Sequence, residues 1–328
     1  MSVLHVTTQG AVLRRRSRRL EVEAEGERLL SLPVGRLERL VLHGAVALST
    51  PALALLLDEG VSVAFVTTRG RYRGELAGPL SKDVFRRIAQ VDRSRDPAFR
   101  LAFASDLVRL KLARTDETLR RFAANHPEPT LLEAARRVRC AAERIPDAGD
   151  LDRLRGLEGE AAAAWFGVLG RMLRNGMEFP GRRRRPPPDP VNALLSYLYV
   201  LVAAEAASAV AAVGLDPAIG FYHDLRYGRA SLALDLLEPL RPLIERFALA
   251  VLNTRVLRAE HFVQCGPAGV RLRDGARSRL LRAYERRLAA AGPRAYGLRP
   301  ALRDAATRVR DLVKRGLVQE APPESRHG

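Results

Sequence analysis

The hydrophobic pattern of this 328-residue chain changes its period once, near Gly78-Pro79. Before that point the apolar residues form short, often alternating runs separated by Gly or Pro, which is typical of β-strands. After it they recur every three or four positions, which is typical of amphipathic helices. We therefore predict an α+β fold with two domains, a small N-terminal β domain (1–81) followed by a larger all-α domain (82–328).

The pattern also places the individual elements. In the first part Thr50-Pro51 opens a short helix. The predicted strands are 2–7, 11–15, 20–24, 28–32, 40–43, 61–67 and 72–76. In the third of these, Leu20, Val22 and Ala24 alternate with glutamates, which predicts one face in solvent. The predicted helices of the second part are 82–92, 97–124, 130–144, 151–175, 190–213, 231–255, 274–291 and 299–315, and residues 316–328 are expected to form a frayed tail.

The net charge of the chain is +18, from 55 Lys and Arg against 37 Asp and Glu. Residues 1–80 hold 11 Arg and 8 acidic residues, so they carry +3 and the remainder carries +15. An excess of this size calls for a polyanionic partner, and nucleic acid is favoured over an anionic membrane. We predict that DNA binds mainly to the helical part, with an affinity that falls steeply with salt.

Cysteine content and hydropathy bear on the compartment. The two cysteines, Cys140 and Cys265, are too few for a zinc cluster or a disulfide framework, which favours the reducing cytoplasm. No apolar segment follows the N-terminal arginines, so no signal peptide is expected. Residues 194–215 are apolar enough to suggest a membrane span, but Glu205 lies at their centre. Because a carboxylate at mid-bilayer is costly, we predict a buried core helix and no membrane.

The candidates for chemistry are carboxylates and histidines, since the sequence contains no Walker-type phosphate loop and no nucleophile elbow. Asp235 and Glu238 are three residues apart on a predicted helix and share one face with Arg241, while His223 lies in the preceding loop. The surrounding leucines leave these acids poorly solvated, so they need a cation. A divalent metal and a salt bridge to Arg241 are both compatible with the spacing.

Two further segments are unusual. Glu158 lies between Gly156 and Gly159 near the start of a predicted helix, where the glycines lower helix stability. They make sense if another molecule must approach that backbone, and the alternative is an ordinary helix-start carboxylate favoured by the helix dipole. The run RRRRPPP at 182–188 is interpreted as a solvated, polyproline-like surface loop.

Four blocks of the sequence, taken in order, resemble the CRISPR-associated adaptation integrase family, the endonuclease numbered one in that series. The blocks are GLEG at 156–159, FPGRRRRPPPDPVN at 179–192, GLDPAIGFYH at 214–223 and SLALDLLEPLRP at 231–242. Their order and spacing agree with the family, as does the β-then-α layout, so the resemblance covers nearly the whole chain.

The resemblance implies a catalytic metal site made from Glu158, His223 and Glu238, with Asp235 beside it as an orienting group or alternative ligand. Carboxylates with one imidazole suit Mg²⁺ or Mn²⁺. The resemblance also implies a homodimer formed largely through the β domain and a small ferredoxin-like partner, the second protein of the series. Such an assembly would insert short DNA into a CRISPR array by transesterification from a DNA 3′-hydroxyl, with double-stranded and branched DNA as substrates.

Two other interpretations remain open from the sequence. The chain could be a non-catalytic structural DNA-binding protein in which Asp235, Glu238 and Arg241 form a salt-bridge cluster. It could also be a standalone nuclease acting on branched DNA. Divalent-dependent strand transfer would separate the first of these from the integrase, and dependence on the small partner would separate the second.

Overall fold

The computed structural model describes residues 2–68, 72–76, 78, 83–174, 176–183, 186–289 and 297–315. Strands dominate before residue 77 and helices dominate from residue 84, so the predicted α+β fold is confirmed. The predicted boundary between residues 81 and 82 lies outside the described residues, as do Pro79 and the predicted tail at 316–328. The exact division of the chain into two domains therefore stays a prediction.

The N-terminal part consists of two four-stranded sheets that share a core with helix α1 (Thr50–Asp58). The strands are β1 (Ser2–Val6), β2 (Val12–Arg16), β3 (Arg19–Ala24), β4 (Glu27–Pro33), β5 (Leu37–His43), β6 (Ala47–Leu48), β7 (Ser62–Val66) and β8 (Tyr72–Leu76). One sheet has the order β1-β5-β7-β8 and is parallel except at β8, and the other has the order β4-β3-β2-β6 and is antiparallel except at β6. The short strand β6 was not predicted.

The solvent-facing side predicted for the third strand is only partly exposed. Glu21 in β3 is 5% exposed, because Arg16 and Arg28 on the adjacent strands reach over its carboxylate at 3.8 and 3.2 Å. The apolar residues Leu20 and Val22 are buried as expected. The alternation therefore predicted the core face correctly but not the arginines that cover the other face.

Aspartates cap the starts of several helices in the second part. Asp96, Asp150 and Asp189 each accept a backbone N–H in the first turn of the helix that follows. The helices are α2 (Val84–Arg95), α3 (Pro97–Asn125), α4 (Pro129–Glu143), α5 (Leu151–Leu169), α6 (Pro190–Ala212), α7 (Ser231–Leu237), α8 (Arg241–Asn253), α9 (Asp274–Ala283) and α10 (Leu298–Lys314). A short hairpin of β9 (Phe262–Gln264) and β10 (Val270–Leu272) is added to this otherwise helical part.

The predicted helix 231–255 is interrupted at Glu238–Leu240, which form a 3₁₀ turn between α7 and α8. Pro239 in this turn has no N–H to donate to the helix ladder, which accounts for the tighter winding. The interruption places Glu238 at a corner between two helices rather than on one continuous face.

Helix α6 is 23 residues long and is apolar enough to cross a membrane by length and composition alone. It packs instead against α7, α8 and α10, and 56% of its most apolar window is buried inside the protein. The Glu205 carboxylate at its centre accepts a 2.7 Å hydrogen bond from Arg299. These contacts are those of the buried core helix that the sequence predicted.

Candidate active site

The loop that carries His223 is held against α7 by one buried carboxylate. Asp235 in α7 is fully buried, and it accepts hydrogen bonds of 2.7–3.0 Å from three consecutive backbone N–H groups, those of Phe221, Tyr222 and His223. A Cβ atom at Gly220 would lie 2.8 Å from Asp235 Oδ2. Glycine at this position therefore lets the loop come close enough for the bonds that fix the backbone of His223.

The same carboxylate orients the imidazole ring. His223 Nδ1 lies 2.7 Å from Asp235 Oδ1, so the proton of the neutral ring is assigned to Nδ1, which donates to the carboxylate. The other nitrogen, Nε2, carries a lone pair and lies 3.7 Å from Glu238 Oε1, too far for a hydrogen bond. Each Asp235 oxygen already accepts two hydrogen bonds, which favours a positioning role for Asp235 over direct metal ligation.

Glu158 and Glu238 are brought together by Lys111 of α3. The Lys111 ammonium lies 2.8 Å from Glu238 Oε2 and also contacts Glu158 Oε1. Burial alone would lower the pKa of Lys111, but Glu238 and Glu158 raise it above its ordinary value, so the lysine stays charged. One ammonium therefore bridges the two acids of the predicted metal site.

Glu238 is the more strongly held of the two acids. Its Oε1 lies 2.8 Å from Arg241 Nε, so the salt bridge that the spacing suggested is formed. Burial would raise the pKa of Glu238, but Arg241 and Lys111 hold it well below its usual range. The carboxylate is therefore ionised, and Arg241 and Lys111 both neutralise its charge.

Glu158 lies in the middle of α5, two turns after the helix start, so its interpretation as a helix-start carboxylate is wrong. Its second oxygen lies 3.3 Å from the hydroxyl of Tyr222. A Cβ at Gly156 or Gly159 would meet no other atom within 4 Å among the described residues. The glycines flanking Glu158 therefore face open space rather than a close contact within the chain.

These groups face a cavity of about 490 Å³ between α3, α5, α6 and the loop before α7. We call Lys111, Glu158, His223, Glu238 and Arg241, which all line this cavity, the cavity cluster. Its remaining walls are rich in arginine, from Arg155, Arg182, Arg226 and Arg229. Acids in a cavity that is also lined by several arginines suit an anionic substrate that is to react at a cation held by the acids.

Arg182 corrects part of the interpretation of the Arg-Pro run as a solvated loop. Its guanidinium donates to Asn192 Oδ1 at 2.8 Å and to Ser196 Oγ at 3.1 Å, and lies 5.4 Å from the centre of the Tyr199 ring. The reason is the buried Asn192 side chain, which ties segment 181–183 to the start of α6. Residues 184 and 185 of the same run lie outside the described residues.

The sequence did not predict Lys111 as a member of the cavity cluster. Lys111 precedes Glu158 by 47 residues and Glu238 by 127, so no local pattern connects them. The one available signal was rarity, because the chain holds only three lysines, Lys82, Lys111 and Lys314, among 55 basic residues. Glu245, whose pKa is raised by burial, also lines the cavity and was not predicted.

The donor set fits a hard divalent cation in its chemistry. Two carboxylates and one imidazole nitrogen with a free lone pair face a single cavity. As the side chains stand, however, the part of the chain that the structure describes holds no group of three His, Cys, Asp or Glu close enough to bind a metal ion. Between the two carboxylates lies the Lys111 ammonium.

Two comparisons of the sequence with known proteins point to the same family. The sequence model of CRISPR associated protein Cas1 matches residues 4–286. A CRISPR-associated endonuclease Cas1 of Rhodospirillum rubrum is 36% identical over 299 residues, which cover 88% of this chain and 86% of the relative.

Comparison with solved structures agrees on the fold. A CAS1 protein from Thermotoga maritima matches with a TM-score of 0.79 at 22% identity, covering 95% of this chain and 97% of the other. A casposase bound to an integration product gives 0.77 at 18% identity, covering 100% and 95%. A chain of a Cas6-RT-Cas1–Cas2 complex gives 0.77 at 22% identity, covering 96% of this chain and 35% of the other. Because the family match spans most of the sequence, the chain belongs to the CRISPR-associated Cas1 family.

Proposed function

We propose that this chain is a divalent-metal-dependent DNA integrase and endonuclease that inserts short DNA into a CRISPR array. The observation that carries the proposal is the convergence of Glu158, His223 and Glu238 on one cavity walled by arginine, in a chain of a family whose curated relative is named an endonuclease. The fold likeness to a casposase bound to an integration product supports the same reaction class.

The reaction exchanges one phosphodiester for another. A DNA 3′-oxygen forms a bond to the target phosphorus, the target 3′-oxygen leaves, and the proton lost by the attacking hydroxyl is balanced by protonation of the leaving oxygen. Glu158, Glu238 and His223 Nε2 would hold Mg²⁺ or Mn²⁺, which when bound stabilises phosphate charge and lowers the pKa of the attacking hydroxyl. Since bonds of equal kind are exchanged, no nucleotide cofactor is needed.

The protein groups around the metal site have separate tasks. Asp235 holds His223 so that Nε2 rather than Nδ1 faces the cavity. Arg155 is itself held by the backbone carbonyl of Tyr222 at 3.0 Å and by Asp224 at 2.8 Å, so its guanidinium is fixed at the cavity wall. Guanidinium groups fixed in this way position phosphates without reading sequence.

We further propose that the chain acts as a homodimer, formed largely through the β domain, together with a small ferredoxin-like protein of the Cas2 type. The support is the fold match to a chain of a Cas6-RT-Cas1–Cas2 complex. The two free cysteines, of which Cys140 is exposed, favour a reducing compartment, so we place the activity in the cytoplasm.

A second function is favoured by one observation. Glu238 is already neutralised by Arg241 and Lys111, as a salt-bridge cluster in a structural DNA-binding protein would be. In that case divalent ions would not be needed, and replacing these groups would change stability rather than chemistry.

Strand transfer across a Mn²⁺ titration decides between these functions. We expect Glu158→Gln, His223→Ala and Glu238→Gln to abolish joining of a labelled DNA end while duplex binding is retained, because the phosphate contacts come from arginines elsewhere. Asp235→Asn should retain some activity at high Mn²⁺, since it removes an orienting group. Full activity of both Glu238→Gln and Asp235→Asn would reject the metal site. If Glu238→Gln is active and Asp235→Asn is inactive, the assignment is reversed, with Asp235 as the ligand in place of Glu238.

A further inference from the structure

We infer that Lys111 is a resident counter-cation of the metal site, whose ammonium neutralises Glu158 and Glu238 until a divalent ion displaces it. The inference rests on the proposed function and adds to it a competition between one side chain and the metal. It is drawn from the position of the ammonium, which contacts Glu158 Oε1 and lies 2.8 Å from Glu238 Oε2.

The contacts of Glu158 and Glu238 indicate that the Lys111 ammonium must move before a metal ion can bind both acids. Glu238 Oε1 is paired with Arg241, and Glu238 Oε2 with Lys111. At Glu158, one oxygen contacts Lys111 and the other lies near the Tyr222 hydroxyl. A cation shared by Glu158 and Glu238 would need the space that the ammonium fills, and two cations in contact at that place would repel each other strongly.

The type of side chain suits such an exchange. A lysine ammonium is compact and sits on a flexible four-carbon stem, whereas an arginine guanidinium is a broad planar fork. The Lys111 side chain is 12% exposed and lines the cavity, so the ammonium can withdraw into the cavity without unfolding α3. In a chain whose other basic residues are almost all arginine, a lysine occupies the one position between the two acids.

The exchange has two consequences that can be measured without catalysis. The affinity of the free protein for a divalent ion is lowered, because each bound ion must displace an ion pair. The stability of the metal-free protein is raised, because without the lysine two carboxylates would lie close together with one cation fewer. Removing the lysine should therefore tighten metal binding and lower metal-free stability at the same time.

The test is a titration of the full chain, without DNA, with Mn²⁺ as the probe, in which free Mn²⁺ is followed by electron paramagnetic resonance. We expect Lys111→Met to bind Mn²⁺ at least about tenfold more tightly than the wild type. In EDTA, Lys111→Met should melt at a lower temperature, and Mn²⁺ should restore it. Lys314→Met removes the same charge from an exposed position at the end of α10 and should change neither quantity.

The outcomes separate this inference from the proposed function. Wild-type and Lys111→Met proteins that bind Mn²⁺ equally well would overturn the inference and leave the metal site standing, as would weaker binding by the variant. If neither the wild type nor any variant, including Lys111→Met, binds Mn²⁺, both the inference and the proposed function are overturned. If Lys111→Met does not fold, Lys111→Gln, which keeps N–H donors but carries no charge, is measured in its place with the same expected direction.

Discussion

Two clusters of buried charged groups can be compared in this molecule. One is the cavity cluster. The other lies where β1 and β5 meet the helical part, and we call it the interdomain cluster; it consists of His5, His43, Glu205, Glu285 and Arg299. Side-chain exposure is similar in the two, at 5–24% for Lys111, Glu158, His223 and Glu238 and 7–25% for His5, Glu205, Glu285 and Arg299.

The interdomain cluster is paired largely within the chain, although His43 Nδ1 and Glu205 Oε2 are buried and have no hydrogen-bond partner among the described residues. His5 Nδ1 lies 3.0 Å from His43 Nε2, and His5 Nε2 lies 2.9 Å from Glu285 Oε1. Arg299 bonds both Glu285 oxygens at 2.6 and 2.7 Å. Both nitrogens of His5 are therefore spent within the chain, and the cluster fastens β1 and β5 to α10 and to the π-helical segment Tyr284–Ala289.

The cavity cluster differs in the surroundings of one imidazole nitrogen, because the unpartnered His43 Nδ1 is buried whereas His223 lines a cavity. His223 Nε2 makes no hydrogen bond to the described residues within normal distance and faces the cavity together with Glu158 and Glu238. Burial, ion pairs and histidines are thus common to both clusters and do not distinguish a site from a structural junction. The distinction comes from a free lone pair next to carboxylates on a shared cavity, which is the arrangement that an incoming cation requires.

Neutralising one glutamate in each cluster tests whether the two clusters differ in function. Glu238→Gln should abolish strand transfer, a loss of at least about a thousandfold in rate, because several kcal/mol of charge stabilisation depends on this ligand. Glu285→Gln, measured per folded molecule at a temperature where both variants are folded, should leave the rate within about twofold. Rates from the same Mn²⁺-dependent joining assay check both, and a large rate loss in Glu285→Gln would mean that the clusters are not separate in function.

The reverse experiment tests stability at the interdomain cluster. Arg299→Met leaves Glu205 and Glu285 without their shared cation and should lower the free energy of unfolding by about 3 kcal/mol. Arg303→Met, on the same helix, removes an arginine whose side chain is 56% exposed and should cost less than about 1 kcal/mol. Urea unfolding of both variants measures the difference, and equal costs would show that the interdomain cluster does not hold the parts together.

The interdomain cluster should also make the stability of the protein fall at acidic pH. Burial, together with His5 and Arg277, lowers the pKa of His43 to about 3, from 6.5 in an unfolded chain. As pH falls below 6.5 the unfolded chain takes up a proton that the folded chain does not accept until about 3, so stability is lost across this window. From about pH 8 to about pH 4.5 the loss due to this group should be about 3 kcal/mol.

The variant His43→Asn isolates that contribution. Unfolding free energies of wild type and variant are measured at both pH values, and only the wild type should show the extra loss. The difference between the two proteins cancels other groups such as Glu245, whose raised pKa acts with the opposite sign. A pH dependence that is the same in both proteins would contradict the prediction.

The sequence predicted those parts of the molecule that depend on local spacing. The strand and helix pattern followed from period and turn residues, and the shared neighbourhood of Asp235, Glu238 and Arg241 followed from three-residue steps. The resemblance added Glu158 and His223, and the structure brings both to the cavity. What spacing could not show was the interruption of the predicted helix by the 3₁₀ turn Glu238–Leu240, which contains Pro239.

Long-range pairs were beyond the reach of the sequence. Lys111 joins the site only because α3 crosses both α5 and the turn at Glu238, and nothing near position 111 indicates those crossings. Glu21 was expected in solvent for the same reason, since its cover comes from side chains on two other strands. Local patterns fix which face of an element is apolar, whereas the partners of charged groups depend on tertiary packing.

The glycines beside Glu158 test whether the cavity cluster faces a ligand. Gly156 lies in the interior of α5, and a Cβ there would meet nothing within 4 Å among the described residues. Gly156→Ala should therefore raise the free energy of unfolding by about 0.5–1 kcal/mol through helix propensity alone.

If DNA passes close to this backbone, the same change should lower DNA affinity and joining severalfold although the protein is more stable. Unfolding and duplex-binding titrations of Gly156→Ala and Gly159→Ala measure both quantities, with Gly220→Ala as the contrasting variant, where the added Cβ would lie 2.8 Å from Asp235 Oδ2 and should destabilise. More stable alanine variants with unchanged DNA binding and joining would show that α5 does not contact the substrate at these positions.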